Sequence, residues 1–271
     1  TFDGVTISGG SSGTGISASA NLSGNGGGTG LKVKGGDHVT FVNSTIKGFE
    51  IGALIQGVDD LTFRNNTISG ISVDAIRMSG IHTGTISGNS ISMDGVKNGT
   101  KHTDGIQFFG GNMSNVTIQN NLIETHNSTS HGIYGGNGGK SFYSNIKIDH
   151  NTILSGQVLG IAVGETRGLD ITNNIVLRDS GSGKPVIRVN HDATDVTISG
   201  NVTHATPVPS GTNWAPTGKS ESGWTITNNK LVSVGTSLKT AESLAPGAGA
   251  PDSTKSAGSA SVATAAAAET L

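Results

Sequence analysis

The chain of 271 residues contains no cysteine, which excludes disulfide bonds and thiolate metal sites. Aromatic residues make up 4% of it and hydrophobic residues 33%, too lean a supply for an ordinary two-layer core. Charged residues are also scarce, at 13% with a formal net charge of −2. Without basic or acidic blocks, the electrostatic footprint of nucleic-acid binding or of docking on an anionic membrane is missing. No run approaches the roughly 20 consecutive apolar residues of a membrane span. The chain starts at Thr1 already inside a repeating pattern, so the expectation is a mature secreted protein or a module excised from a larger one.

What is abundant is glycine, 43 residues, among Ser, Thr, Asn and short aliphatic runs. Such a composition accompanies disorder when apolar residues are scattered. Here they recur. One phrase is a β-branched run, an Asn-containing turn, then another aliphatic pair: VTFVNSTI (39–46), LTFRNNTI (61–68), GTISGNSI (84–91), VTIQNNLI (116–123), IKIDHNTI (146–153), LDITNNIV (169–176), VTISGNVT (196–203) and WTITNNKL (224–231). A second phrase sets a small residue before an aliphatic, as in DAIRM (74–78), DGIQF (104–108), HGIYG (131–135) and LGIAV (159–163).

Aligned on Leu31, Leu54, Ile76, Ile106, Ile133, Ile161 and Ile187, the second phrase recurs at steps of 23, 22, 30, 27, 28 and 26 residues. A period in this range signals a solenoid, and two or three short strands per period without amphipathic helices predict an all-β, right-handed parallel β-helix with coils of about 22–32 residues. Turn asparagines at 66, 89, 121, 151, 174, 201 and 229, preceded by Ser44, are expected to stack from coil to coil and to serve turn geometry rather than glycosylation. The helix domain is expected over 1–243. Residues 244–271 read as a low-complexity Ala/Ser/Gly-rich linker or tail.

The coils swell in one place. Measured on the turn asparagine, the steps 121−89=32 and 151−121=30 exceed 89−66=23 and 174−151=23. The additions, 94–103, 125–130 and 135–144, bracket the stretch KHTDGIQFFGG (101–111) and are expected to wall a cleft. If Ile76, Ile106 and Ile133 face inward, Arg77, Gln107 and Tyr134 face outward, with Asp74, Asp104 and His131 two places upstream of the aliphatics. Ala75, Gly105 and Gly132 then read as a shallow floor, and Ile55 and Ala162 as apolar borders.

The phrasing of residues 1–235 resembles the pectate-lyase-like right-handed β-helix superfamily, which is rich in extracellular enzymes acting on acidic polysaccharides. HGIYGG…NIKIDHNTI and LGIAVG…LDITNNIV are similar to coils of the mannuronan C5-epimerases. That resemblance implies catalytic roles for His102, matched by its offset from Ile106, and for His131 in an HGF-like strand. The Asp-Pro that precedes the first histidine in that family is Thr100-Lys101 here, which places a lyase ahead of an epimerase.

Either reaction on a uronic acid must neutralise the carboxylate, remove the C5 proton, and deliver a proton to the leaving oxygen or the opposite face. Arg77 or Lys101 suits the first task, His102 or His131 the second, and Tyr134 the third, or the second if its pKa is depressed. Gln107, Asp74, Asp104 and Lys140 are expected to bind substrate. Two other readings stand beside this one: a glycoside hydrolase using Asp74 and Asp104 as its carboxylate pair, and a non-enzymatic sugar-binding β-helix of a phage or cell surface. The plainer alternative for the two aspartates is bonding to turn backbone; Arg188, His191 and the Asp59-Asp60 pair read as surface or turn residues. No cofactor is expected to be required; Ca²⁺ remains an option through Asp74, Asp104 and Asp94, without an EF-hand or RTX match. The expected partner is an acidic polysaccharide or oligosaccharide, met outside the cell by a monomer of bacterial or phage origin.

Overall fold

The computed structural model describes residues 1–8, 16–17, 28–93, 103–126, 130–136, 142–179, 183–190, 192–204, 208–210 and 223–244. Three parallel sheets of nine strands each wind around one interior. Each full coil contributes one strand to each sheet, for example Asp74–Ile81, Gly84–Ser87 and Ser90–Ser92. This is the parallel β-helix that the repeat predicts.

The Asn-containing phrase shows why the chain bends where it does. In VTIQNNLI, Val116 and Ile118 are buried on one sheet and Ile123 on the next. Between them Asn120 takes the left-handed conformation, φ 55°, which asparagine tolerates better than most side chains. The left-handed place thus falls one residue before the stacking asparagine. Asn121 itself is fully buried: its Nδ2 donates to Ile86 O (3.0 Å) and Asn151 Oδ1 (2.9 Å), while Asn151 Oδ1 also accepts the Asn121 amide (3.1 Å). The same pattern links Asn66, Asn89, Asn121, Asn151, Asn174, Asn201 and Asn229, with Ser44 below. A buried amide costs free energy unless bonded, and here each neighbour supplies the partner. Burial of Asn201 also closes its Asn-x-Thr match to modification, as expected of a turn residue.

The few aromatics are concentrated inside. Phe41 stacks on Phe63 at 5.3 Å between centroids, and Phe108 meets Tyr143 edge-on at 5.1 Å. Tyr143 is fully buried and donates its hydroxyl to Phe108 O.

Two details of the sequence reading are corrected. Ile76 pairs with Ala53, not Leu54, so Leu54 is the outward neighbour of Arg77 and Ile55 is core. The alignment slipped because Gly52-Ala53-Leu54-Ile55 offers three consecutive apolar candidates, and a slip of one residue exchanges the faces. Nor do Gly105 and Gly132 floor the outer face: they point into the core. A Cβ on Gly105 would lie 2.5 Å from Ile123 Cγ2 and 2.7 Å from Gly132 O, and a Cβ on Gly132 would meet Ile153 Cγ2 and Gly160 O. Their smallness makes room for the isoleucines of the facing sheet.

Beyond the last turn asparagine a short helix, Leu238–Leu244, caps the outside of the coil. The sequence reading expected no helix there. Ser237 caps its first turn, its Oγ accepting from Thr240 N at 3.2 Å. Ala241 is buried against Ile175, Leu177 and Val202. Among the described residues, no helix is long and apolar enough to cross a membrane. Of the tail read at 244–271, Leu244 ends the short helix and residues 245–271 lie outside the described residues.

Candidate functional site

The sheet that carries the site runs through Thr29–Lys34, Ile51–Val58, Asp74–Ile81, Thr103–Phe108, Ser130–Gly135, Leu159–Val163 and Val186–Asn190. Its register aligns Lys32, Leu54, Arg77, Gln107, Tyr134, Ala162 and Arg188 in one row. A second row, at the strand entrances, aligns Thr29, Ile51, Asp74, Asp104 and His131. Arg77, Gln107 and Tyr134, with Asp74, Asp104 and His131, therefore stand together on three successive coils, as the spacing predicted. Leu54, not Ile55, borders them on one side; Ala162 borders them on the other.

Hydrogen bonds tie the entrance row together along the helix axis. Asp74 Oδ1 accepts the Asp104 backbone N–H at 3.1 Å, and Asp74 Oδ2 lies 3.6 Å from Arg77 Nη1. The Arg77 guanidinium rests 4.0 Å from the centroid of Phe109. Asp104 Oδ1 lies 2.9 Å from His131 Nδ1, and both residues are buried, His131 with 8% of its surface exposed. The His131 ring stacks on Tyr134 at 5.6 Å and 25°. Beneath this pair, the hydroxyls of Thr103 and Ser130 share a hydrogen bond of 2.8 Å.

Electrostatics separate the roles. Burial pushes the Tyr134 phenol above its ordinary pKa, and the carboxylates of Asp104 and Glu165 push it further. A raised value runs against the depressed-pKa base that the sequence reading allowed for Tyr134. An uncharged imidazole whose Nδ1–H donates to a carboxylate keeps its lone pair on Nε2, the arrangement of an oriented base. Among the described residues, Gln107 Oε1 and Arg77 Nε are buried and find no hydrogen-bond partner. Asp74 bonds the backbone of the next strand and Asp104 bonds His131, and both carboxylates are buried. Among the described residues, no group of three or more His, Asp or Glu is placed to hold a metal.

Lys101, His102, Lys140, Asp94 and His191, with most of the three insertions expected to wall a cleft, lie outside the described residues. Three residues escaped the sequence reading. Phe109 directly follows DGIQF and carries the Arg77 guanidinium. Arg188, read as surface, is half-buried in the outward row, and burial lowers its pKa. Glu165 is buried at a left-handed corner, φ 47°, just beyond LGIAV. A glutamate directly after a Gly, at the end of an inward-facing strand phrase, was the available signal.

The chain belongs to the right-handed β-helix family: the model of the right-handed β-helix region matches residues 1–145. Among solved structures, the crystal structure of the Dettilon tailspike protein is similar over 86% of this chain, at 14% identity and a TM-score of 0.40. This chain covers 60% of the length of that tailspike chain. No curated protein matches.

Proposed function

We propose that the chain is a polysaccharide lyase that cleaves a uronate-containing polysaccharide by β-elimination. The observation that carries this reading is the buried Asp104–His131 hydrogen bond, set in register between Arg77 and Tyr134. His131 Nε2 removes the C5 proton. The electrons of that C–H bond form the C4=C5 double bond, the C4–O bond breaks, and the leaving oxygen takes the Tyr134 proton. Solvent then returns the His131 proton to the tyrosinate, and the enzyme is restored. Arg77, anchored by Asp74 and Phe109, meets the sugar carboxylate and stabilises the negative charge that grows there when C5 loses its proton. A positioned acid or base of this kind contributes on the order of 10²–10⁴-fold. An acidic polysaccharide partner and an extracellular setting belong to the same reading.

The test is incubation with a panel of uronate polysaccharides, following the ultraviolet absorbance of unsaturated uronate and solvent-proton exchange at C5. A lyase gives absorbance; an epimerase gives exchange without it. His131→Ala and Tyr134→Phe are each expected to lower turnover by at least about 10²-fold. Full activity in both variants would overturn the assignment.

A non-catalytic sugar-binding face is the second reading. It is favoured by the engagement of Asp74 with backbone and Arg77, and of Asp104 with His131, which leaves a rigid polar surface. Saturable binding across the panel, with neither absorbance nor exchange, selects it.

A further inference from the structure

Glu165 stands outside the three coils that hold Asp74, Asp104 and His131, yet its side chain reaches the same place as Tyr134. The corner that carries it is built. Its backbone N–H donates to Asp192 Oδ1 at 3.0 Å, and its carbonyl accepts from Tyr143 N at 2.8 Å. Only 4% of the residue is exposed. The meeting point is Gly136: a Cβ added there would lie 3.4 Å from the Tyr134 hydroxyl oxygen and 3.6 Å from Glu165 Oε2. A carboxylate from the next coil and the phenol thus converge on one point above Gly136.

Resting on the lyase reading above, we propose that Glu165 is a positioning residue for Tyr134: it fixes the hydroxyl over Gly136 and keeps the phenol protonated until the leaving oxygen claims the proton. A negative charge beside a phenol disfavours a second negative charge there. Burial and Asp104, on the coil below, raise the phenol more than Glu165 does, while His131 stacks on the ring and buried Tyr143 lies nearby. Gln107 and Ala162 flank Tyr134 in the outward row, and the cations Arg77 and Arg188 stand two positions away on either side. Without Glu165, the balance around Tyr134 shifts toward the tyrosinate, which cannot serve as the acid.

The chain has only two tyrosines, which makes the test direct. In a Tyr143→Phe background, alkaline titration of tyrosinate absorbance reports Tyr134 alone. Its midpoint is expected above that of a free phenol, and Glu165→Gln is expected to lower it. Asp192→Ala, at an exposed site, releases the Glu165 corner and is expected to move the midpoint the same way by a smaller amount. On a polymer that is cleaved, Glu165→Gln should lower kcat with little change in KM and bring the alkaline limb of the pH profile down with the midpoint. A midpoint unmoved in Glu165→Gln, or in Asp192→Ala should Glu165→Gln not fold, overturns the inference. The titration needs no substrate, so a shifted midpoint without cleavage of any polymer counts against the lyase reading and leaves the Tyr134–Glu165 coupling standing.

Discussion

Asp104 and His131 illustrate what one residue can do when its neighbour is buried with it. The carboxylate orients the imidazole, so Asp104→Asn is expected to disturb the His131 tautomer while sparing its place in the strand. We expect turnover on a uronate polymer to fall by about 10²-fold or more, with thermal unfolding nearly unchanged. Arg77→Lys tests a different property. A lysine keeps the charge but loses the flat stacking on Phe109 and the bidentate fork, so KM should rise by about tenfold in steady-state kinetics. At this scale the sequence was informative about residues that repeat in register and silent about those that do not. Asp74, Arg77, Gln107, His131 and Tyr134 were found because each sits at a fixed offset from an aliphatic. Glu165 and Phe109 escaped because they reach the site from a corner and from past the end of a strand, where no period announces direction.

The elements owe their stability to two stacks with opposite demands. The asparagine stack demands partners. Asn121→Ala would leave the Ile86 carbonyl and the side-chain oxygen of Asn151 each short of a donor in the interior, at an expected cost of about 2–4 kcal/mol by urea denaturation. The glycine stack demands emptiness. Gly132→Ala would press a methyl against Ile153 and the Gly160 carbonyl, and is expected to cost about 1–3 kcal/mol or more through overpacking. The strands and the asparagine row were legible, since both follow from a repeated phrase. The inward direction of Gly105 and Gly132 was not, because a glycine carries no side chain whose polarity would tell the two faces apart. The slip at Leu54 has the same origin: three apolar residues in succession satisfy either alternation.

For the whole molecule, the single interior couples alkaline pH to stability. Burial, assisted by Glu165 and Tyr134, raises the pKa of Tyr143 in the folded chain. A raised folded value means that its contribution is fully present below the unfolded pKa of ~10 and is lost progressively as pH rises from there toward the folded value. The urea midpoint should therefore fall above pH ~10, and Tyr143→Phe should flatten that fall even if it lowers stability at neutral pH through the lost bond to Phe108. Fold class was readable in advance because a solenoid writes its architecture as a period. The cap formed by Leu238–Leu244 was not, since a helix of 7 residues held by Ala241 and a serine cap leaves little periodic trace.

The site sheet keeps its register although 74−51=23, 104−74=30 and 131−104=27 residues separate successive partners. The partners stay paired whatever the step, so what each coil displays on this sheet is independent of how long the coil is. The outward row from Lys32 to Arg188 is then a line of type, one character about every 4.8 Å. Any one character can be reset without moving the rest, and a linear polymer lying along it would be read by sequence of side chains rather than by the shape of a single pocket.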